Sequence, residues 1–290
     1  MNPAPSVIVF SVLSGIGFGA LFYLGSGIVH PYGFQAFLLW GLGYASAIIG
    51  LMAATLHLAN PRNALKAFSQ WRSSWLSREA WAAVATLLLL APVALSDWLN
   101  LGWPRQIGYL GGGLALFTVF TTAMIYTQIK AVPRWNHWLN PLMFMGFAIS
   151  GGAVLTGIWA APYLLAGLGV LLPWVWQTGD KQFSNRAQTL GTATGLDRIG
   201  EVTVFEQAHT AGNYLLREMV FVVARKHVAK LRIIAIVMAA ALPAVLLTLL
   251  PAAPESFAVA AICHLTGAFA ARWLFFAQAE HVVGLYYGQR

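Results

Sequence analysis

A chain of 290 residues with 59% hydrophobic and 9% charged residues lies far from the roughly 25% charged content of an average soluble domain. A soluble core of this length has no room to hide so much apolar surface, so the composition excludes a soluble globular protein and points to an integral membrane protein. The net charge of +8 suggests nucleic acid at first sight, but no nucleic-acid motif is present, and loop topology plus attraction to anionic lipid account for the charge.

Apolar stretches of about 17–25 residues match a hydrocarbon core of roughly 30 Å. Eight are predicted as helices, at about 6–29, 33–58, 79–99, 106–129, 142–159, 162–176, 231–250 and 257–278. The expected fold is therefore an all-α polytopic bundle, one integral membrane domain over residues 1–290. The first span turns at His30-Pro31, and a short turn around Pro162 separates the fifth from the sixth.

The basic residues then segregate. One side carries Arg62, Lys66, Arg72 and Arg78 in the second-to-third loop, and Lys130 and Arg134 in the fourth-to-fifth. The same side carries Lys181, Arg186, Arg198, Arg217, Arg225, Lys226, Lys230 and Arg232 in the long sixth-to-seventh segment, and Arg290 in the tail. The other side holds only Arg105, while Arg272 lies inside the last span. Fifteen of seventeen thus share a side. The positive-inside rule places that side, with both termini, in the cytoplasm. The first basic residue is Arg62, so neither a cleavable signal peptide nor a twin-arginine signal is expected.

A single cysteine, Cys263, excludes an iron–sulfur cluster, a thiolate zinc site and c-type haem attachment on this chain. Glycines 15, 17, 19, 111–113, 151, 152 and 157 sit in or beside spans, without the strand–turn–helix context of a nucleotide loop. They read as sites of close helix packing.

Ionisable groups inside spans are costly and carry most of the functional information. His57 closes span two, Glu79 opens span three, Tyr126 and Gln128 close span four, and Glu280 and His281 end span eight, all at the basic face. Arg272, eight residues before Glu280, lies about 12 Å deeper. Such a set suits quinone redox, which needs an apolar slot, hydrogen-bond donors for two ring oxygens, and groups that relay protons to water. Trp71, Trp75 and Trp273 offer aromatic walls. Each residue also has a structural reading. A helix C-terminus accounts for His57 and a helix start for Glu79, and tryptophans commonly form interfacial belts. Asp97 reads as solvated, and His264 as either packed or haem-ligating.

The basic, aromatic stretch 59–78 fits an amphipathic helix lying on the interface. The segment 177–230 suggests a docking surface or a lid over a site, with plain connection as the simpler reading.

The run Leu56-His57-Leu58-Ala59-Asn60-Pro61, followed by Leu76-Ser77-Arg78-Glu79, resembles the DMSO reductase anchor subunit (DmsC) family over essentially the whole chain. That family carries a His-Leu-Gly-x-Pro segment and then Leu-Ser-x-Glu; here Ala59 replaces the usual Gly. The resemblance implies an anchor, not itself catalytic for the substrate, that docks an iron–sulfur electron-transfer subunit and a molybdopterin catalytic subunit and exchanges electrons with ubiquinone or menaquinone. It assigns quinone binding to His57 and Glu79. The bottom-up reading adds Arg72, Arg78, Trp71, Tyr126, Arg272 and His281. The Ser69–Trp75 loop, His209-Thr210-x-x-Asn213-Tyr214 and the ending from Arg272 to Tyr287 are similar to the sulfite-oxidising branch, whose catalytic subunit faces the cytoplasm.

Three alternatives stay open. A b-type cytochrome would use His57, His209, His264 or His281 as haem b ligands, although no spacing pairs them across two spans. The anchor of a DMSO or other oxyanion reductase would oxidise menaquinol instead. A transporter would want charges near the midplane in both halves of the chain, where this chain has few.

Overall fold

In lipid an apolar run must close its backbone hydrogen bonds within itself, and the long apolar runs of this chain do so as helices. The computed structural model describes residues 3–56, 58, 60–206, 219 and 227–288. The spans are α1 (Pro5–Gly25), α2 (Gly33–Thr55), α3 (Trp75–Leu99), α4 (Gln106–Thr127), α5 (Leu139–Thr156) and α6 (Ala161–Asn185). A short α7 (Leu190–Thr194) precedes α8 (Val228–Leu249), α9 (Pro254–Ala277) and the final turn α10 (Val283–Tyr286). Among the described residues no strand occurs.

Seven of these helices, α1–α5, α8 and α9, are long and apolar enough to cross a membrane, one fewer than the eight expected. The difference is α6, which is 25 residues long but falls short in apolar character. Its last part, 177–185, carries Asp180 and Lys181. That part was expected to open the long connecting segment and instead continues the helix. The connection that follows contains α7, closed by a reciprocal capping box between Thr189 and Thr192, and leaves Ile199 and Phe205 fully open. The His209–Tyr214 motif lies outside the described residues.

At the centre stands α1. It is the first span in sequence and among the most buried, and it packs against α2, α4, α5 and α9. Its glycines make this approach feasible: a Cβ on Gly19 would collide with the Ala148 carbonyl of α5, and one on Gly152 would collide with Gly19 in return. Backbone-to-backbone contact of this kind replaces the hydrophobic force that lipid does not supply between helices. The packing reading fails at Gly15 and Gly113, which face open space, and at Gly157, which ends α5 in the left-handed conformation (φ 72°).

One defect interrupts α8. Residues Val237–Ala241 form a π-helical turn, which frees the Ala239 carbonyl to accept a hydrogen bond from His264 Nδ1 of α9 at 2.6 Å. The expected interfacial helix between α2 and α3 is shorter and tighter than a full α-helix. It is a 3₁₀ segment, Pro61–Phe68, whose cap Asn60 accepts from the Arg62 amide at 3.2 Å.

At the face remote from the basic loops, Asp97 is not solvated as expected but 5% exposed. Arg105 Nη1 reaches Asp97 Oδ1 at 2.7 Å, Trp40 Nε1 donates to Oδ2 at 3.1 Å, and His30 Nε2 lies 3.4 Å from Oδ1. Arg105 also donates to the Leu24 carbonyl at 2.6 Å. The group therefore ties the outer ends of α1, α2, α3 and α4 into one clasp.

Candidate functional site

The residues expected at the basic end share that end but not one pocket. Helix α3 divides them. Arg78, Trp81, Ala82 and Ala85 recur at helical spacing along its outward stripe, while Glu79, Ala83, Thr86 and Leu90 line the inward one.

Facing inward, Glu79 is 4% exposed. Thr122 of α4 donates its hydroxyl to Glu79 Oε1, and the same hydroxyl lies 3.0 Å from the Thr118 carbonyl. Helical spacing stacks Thr118, Thr122 and Tyr126 on one face of α4. Tyr126 stands one turn on, within Coulombic reach of both Glu79 and Arg272. It is walled by Trp135, Phe144, Phe275 and Phe276, with ring centroids 5.4–5.8 Å away. Arg272 sits five residues inside the end of α9, about 8 Å along its axis. It is 4% exposed, and its guanidinium lies 3.6 Å from the Phe144 ring centroid. Its Nε and Nη1 have no hydrogen-bond partner among the described residues. Both nitrogens belong to a side chain that lines a cavity of about 10 Å³ together with Ser11, Ser14, Thr122 and Phe147. Thus Glu79, Tyr126 and Arg272 all turn into the bundle interior at the basic end.

Facing outward is a larger cleft of about 500 Å³, lined by Phe68, Trp71, Arg78, Trp81, Leu114 and Phe117. That volume falls in the range of small-molecule sites, and the lining is chiefly aromatic and aliphatic. The 3₁₀ segment builds one wall: Trp81 Nε1 donates to the Phe68 carbonyl at 3.1 Å, and the two rings meet edge to face. Arg78 pins the loop by donating to the Trp71 and Arg72 carbonyls at 3.1 and 2.7 Å, with its guanidinium 4.3 Å from the Trp75 ring centroid. Arg72 lies over the Trp71 ring at 5.4 Å. Arg78 is thus both lining and clamp, and Trp75 turns to Phe120 instead of the cleft.

The remaining candidates separate from these pockets. His281 follows α9 and accepts the Val283 amide at 3.0 Å. Burial holds its imidazole below the usual histidine range, as suits a neutral ring acting as a cap. His57 lies outside the described residues, although its neighbour Leu56 caps α2. Of the histidines weighed as haem ligands, His264 donates from Nδ1 to the Ala239 carbonyl and packs its other ring nitrogen against Gly151, where a Cβ would lie 2.9 Å away. His209 also lies outside the described residues. Sequence reasoning missed Thr122, Ser11, Ser14, Trp81 and Phe117. The signal for the first three was present as hydroxyls at i, i+3 and i+4 spacing inside apolar spans, near an intramembrane charge.

The DMSO reductase anchor subunit (DmsC) family matches residues 6–278. The chain belongs to that family. It is the membrane anchor of an oxidoreductase complex, and the family implies catalytic and electron-transfer subunits as its partners. Among curated proteins it is similar to a subunit of the sulfite dehydrogenase of Allochromatium vinosum, at 26% identity covering 99% of each chain. No solved structure matches it. For an anchor, a buried carboxyl and a buried guanidinium that share an end but not an ion pair are unusual. A charge inside a bundle normally finds an opposite partner, as Asp97 does here.

Proposed function

We propose that this anchor is the quinone-reactive subunit of a molybdopterin and iron–sulfur complex, passing electrons from sulfite oxidation to the quinone pool. The observation that carries the proposal is Glu79, a carboxyl 4% exposed near the basic end of the bundle, with Thr122 as its hydrogen-bond partner and no cation bonded to it among the described residues. Such a group is expensive to bury as a carboxylate, and proton exchange gives it a reason to be there. Reducing a quinone consumes two electrons and two protons. The electrons come from iron–sulfur clusters of the partner subunit, and Glu79 moves a proton between the ring oxygen and water at the basic face. The aromatic cleft on the other side of α3 supplies an apolar bed for the tail, with Arg78 at its rim. The family resemblance adds His57 at the end of α2.

The basic loops support an inward orientation with both termini cytoplasmic in a bacterial inner membrane, and the catalytic and electron-transfer subunits would then dock on the cytoplasmic face. Sulfite as the electron source rests on the similarity to the Allochromatium protein and on that orientation. The test is sulfite-dependent reduction of a quinone and of a soluble dye by the intact complex in membranes. Loss of quinone reduction with dye reduction intact in Glu79→Gln and His57→Ala supports the anchor site. Unchanged quinone reduction in both removes it, and a wild type without sulfite activity removes the substrate.

A further inference from the structure

The hydroxyl of Thr122 touches two acceptors, Glu79 Oε1 and the Thr118 carbonyl at 3.0 Å. A hydroxyl carries one proton and two lone pairs. With Glu79 ionised, the Thr122 proton points at the carboxylate. With Glu79 protonated, the carboxyl O–H donates to Thr122, whose own proton turns to the Thr118 carbonyl. Both arrangements satisfy the buried groups with no helix movement, and no apolar side chain of the same shape can do this.

Behind Thr122 lies the Arg272 cavity, whose chemistry is one-sided. Ser11 and Ser14 spend their hydroxyl protons on the Ile8 and Phe10 carbonyls at 3.2 and 2.6 Å, so they turn lone pairs inward. Arg272 presents the unpartnered N–H groups of Nε and Nη1. An occupant has to accept from a guanidinium and donate to hydroxyl oxygens. Water does both, and about 10 Å³ is roughly one water, too little for a polyatomic anion.

We infer that Thr122 is a switching hydroxyl that keeps Glu79 hydrogen-bonded as carboxylate and as carboxylic acid, backed by one water that Arg272 holds in the cavity behind it. The inference rests on the quinone reading above and makes Thr122 a positioning residue for it. In the proton step the Glu79 O–H bond breaks and an O–H bond forms at the ring oxygen, while the partner's iron–sulfur clusters deliver the electrons. Water at the basic face then returns the proton to the carboxylate and supplies the second one.

Infrared difference spectra of the intact complex in membranes, reduced minus oxidised with an added ubiquinone analogue, test this directly. A carboxyl band absent in Glu79→Gln is expected to shift in Thr122→Val and to return in Thr122→Ser. Quinone reduction is expected to fall about tenfold in the valine variant, roughly the worth of one lost buried hydrogen bond, and to stay near wild type in the serine variant, with dye reduction constant throughout. If Thr122→Val fails to assemble, Thr122→Ala carries the same test without a size conflict. A valine or alanine variant with an unmoved band and rate overturns the switch while leaving the quinone site standing. Glu79→Gln with a wild-type spectrum and wild-type quinone reduction overturns both. A water O–H band that shifts in heavy-oxygen water and vanishes in Arg272→Met is expected from the cavity, and its absence in wild type overturns the water.

Discussion

The two ends of the bundle each bury a carboxylate, and they treat it in opposite ways. At the remote end Asp97 is neutralised: Arg105 lies at 2.7 Å, the Trp40 indole donates to the second oxygen, and His30 stands at 3.4 Å. At the basic end Glu79 has a neutral hydroxyl, while the nearby buried cation, Arg272, lies against a phenyl ring with two N–H groups unpartnered. A paired buried charge is fixed, because removing either partner strands the other. An unpaired one is poised, because a proton can come and go without breaking an ion pair. The difference sets Asp97 apart as a clasp and is the ground on which Glu79 is proposed as a reactive group.

The comparison can be broken from both sides, and the largest effect is expected at the poised end. Glu79→Gln keeps the volume and a hydrogen-bond acceptor but cannot move a proton. Quinone-linked turnover is expected to fall by about 10²-fold or more, the usual worth of a positioned acid or base, with dye-linked turnover and detergent melting temperature unchanged. A melting temperature that drops with the rate would make Glu79 structural like Asp97. At the remote end the order reverses. Asp97→Ala strands Arg105 and is expected to cost about 3–5 kcal/mol, seen as a lower melting temperature and weaker assembly, while the complex that does assemble keeps its ratio of quinone to dye turnover. A changed ratio would place chemistry at the clasp. A smaller effect belongs to the cleft. Trp81→Ala removes one aromatic wall and the Phe68 hydrogen bond, and is expected to raise the quinone KM about tenfold with kcat constant. A fall in kcat alone would put the tail elsewhere.

Hydropathy and loop charge made the long helices, their alternation and the basic end legible. The sequence also marks Glu79, Tyr126 and Arg272 as misfits in apolar runs, and the structure buries all three. It could not show that α3 separates Arg78 from Glu79, although they are adjacent in sequence, because which helical face turns inward is set by packing against α1 and α4. Asp97 was misread for a related reason. A carboxylate near a span end looks solvated until Trp40 and His30, far away in sequence, and Arg105 across the next turn close over it. The shortfall of α6 was readable in principle from the prolines, glycines and tryptophans that dilute its apolar stretch, among them Pro162, Pro173, Trp174 and Trp176. Thr122 went unnoticed because a threonine in a span usually bonds its own helix, as Thr127 does to the Ala123 carbonyl at 2.9 Å, and the Glu79 contact shows only once α3 and α4 pack.

The smallest effect tests whether His281 belongs to either class. Its neutral ring accepts the Val283 amide at 3.0 Å and so caps α10. Burial favours the neutral form, so the folded imidazole titrates below the unfolded one. The unfolded state then binds the extra proton first, and stability from this cap is present above about pH 6.5, the unfolded value, and is lost as pH falls through the lower folded value. Amide exchange at Val283, corrected for the intrinsic pH dependence, is therefore expected to lose protection as the pH drops through that window. In His281→Ala the protection should be low at every pH, while quinone turnover stays near wild type. A large loss of quinone turnover in that variant would move His281 into the reactive end. Protection that stays high at acid pH would mean that a group other than the His281 ring holds the Val283 amide.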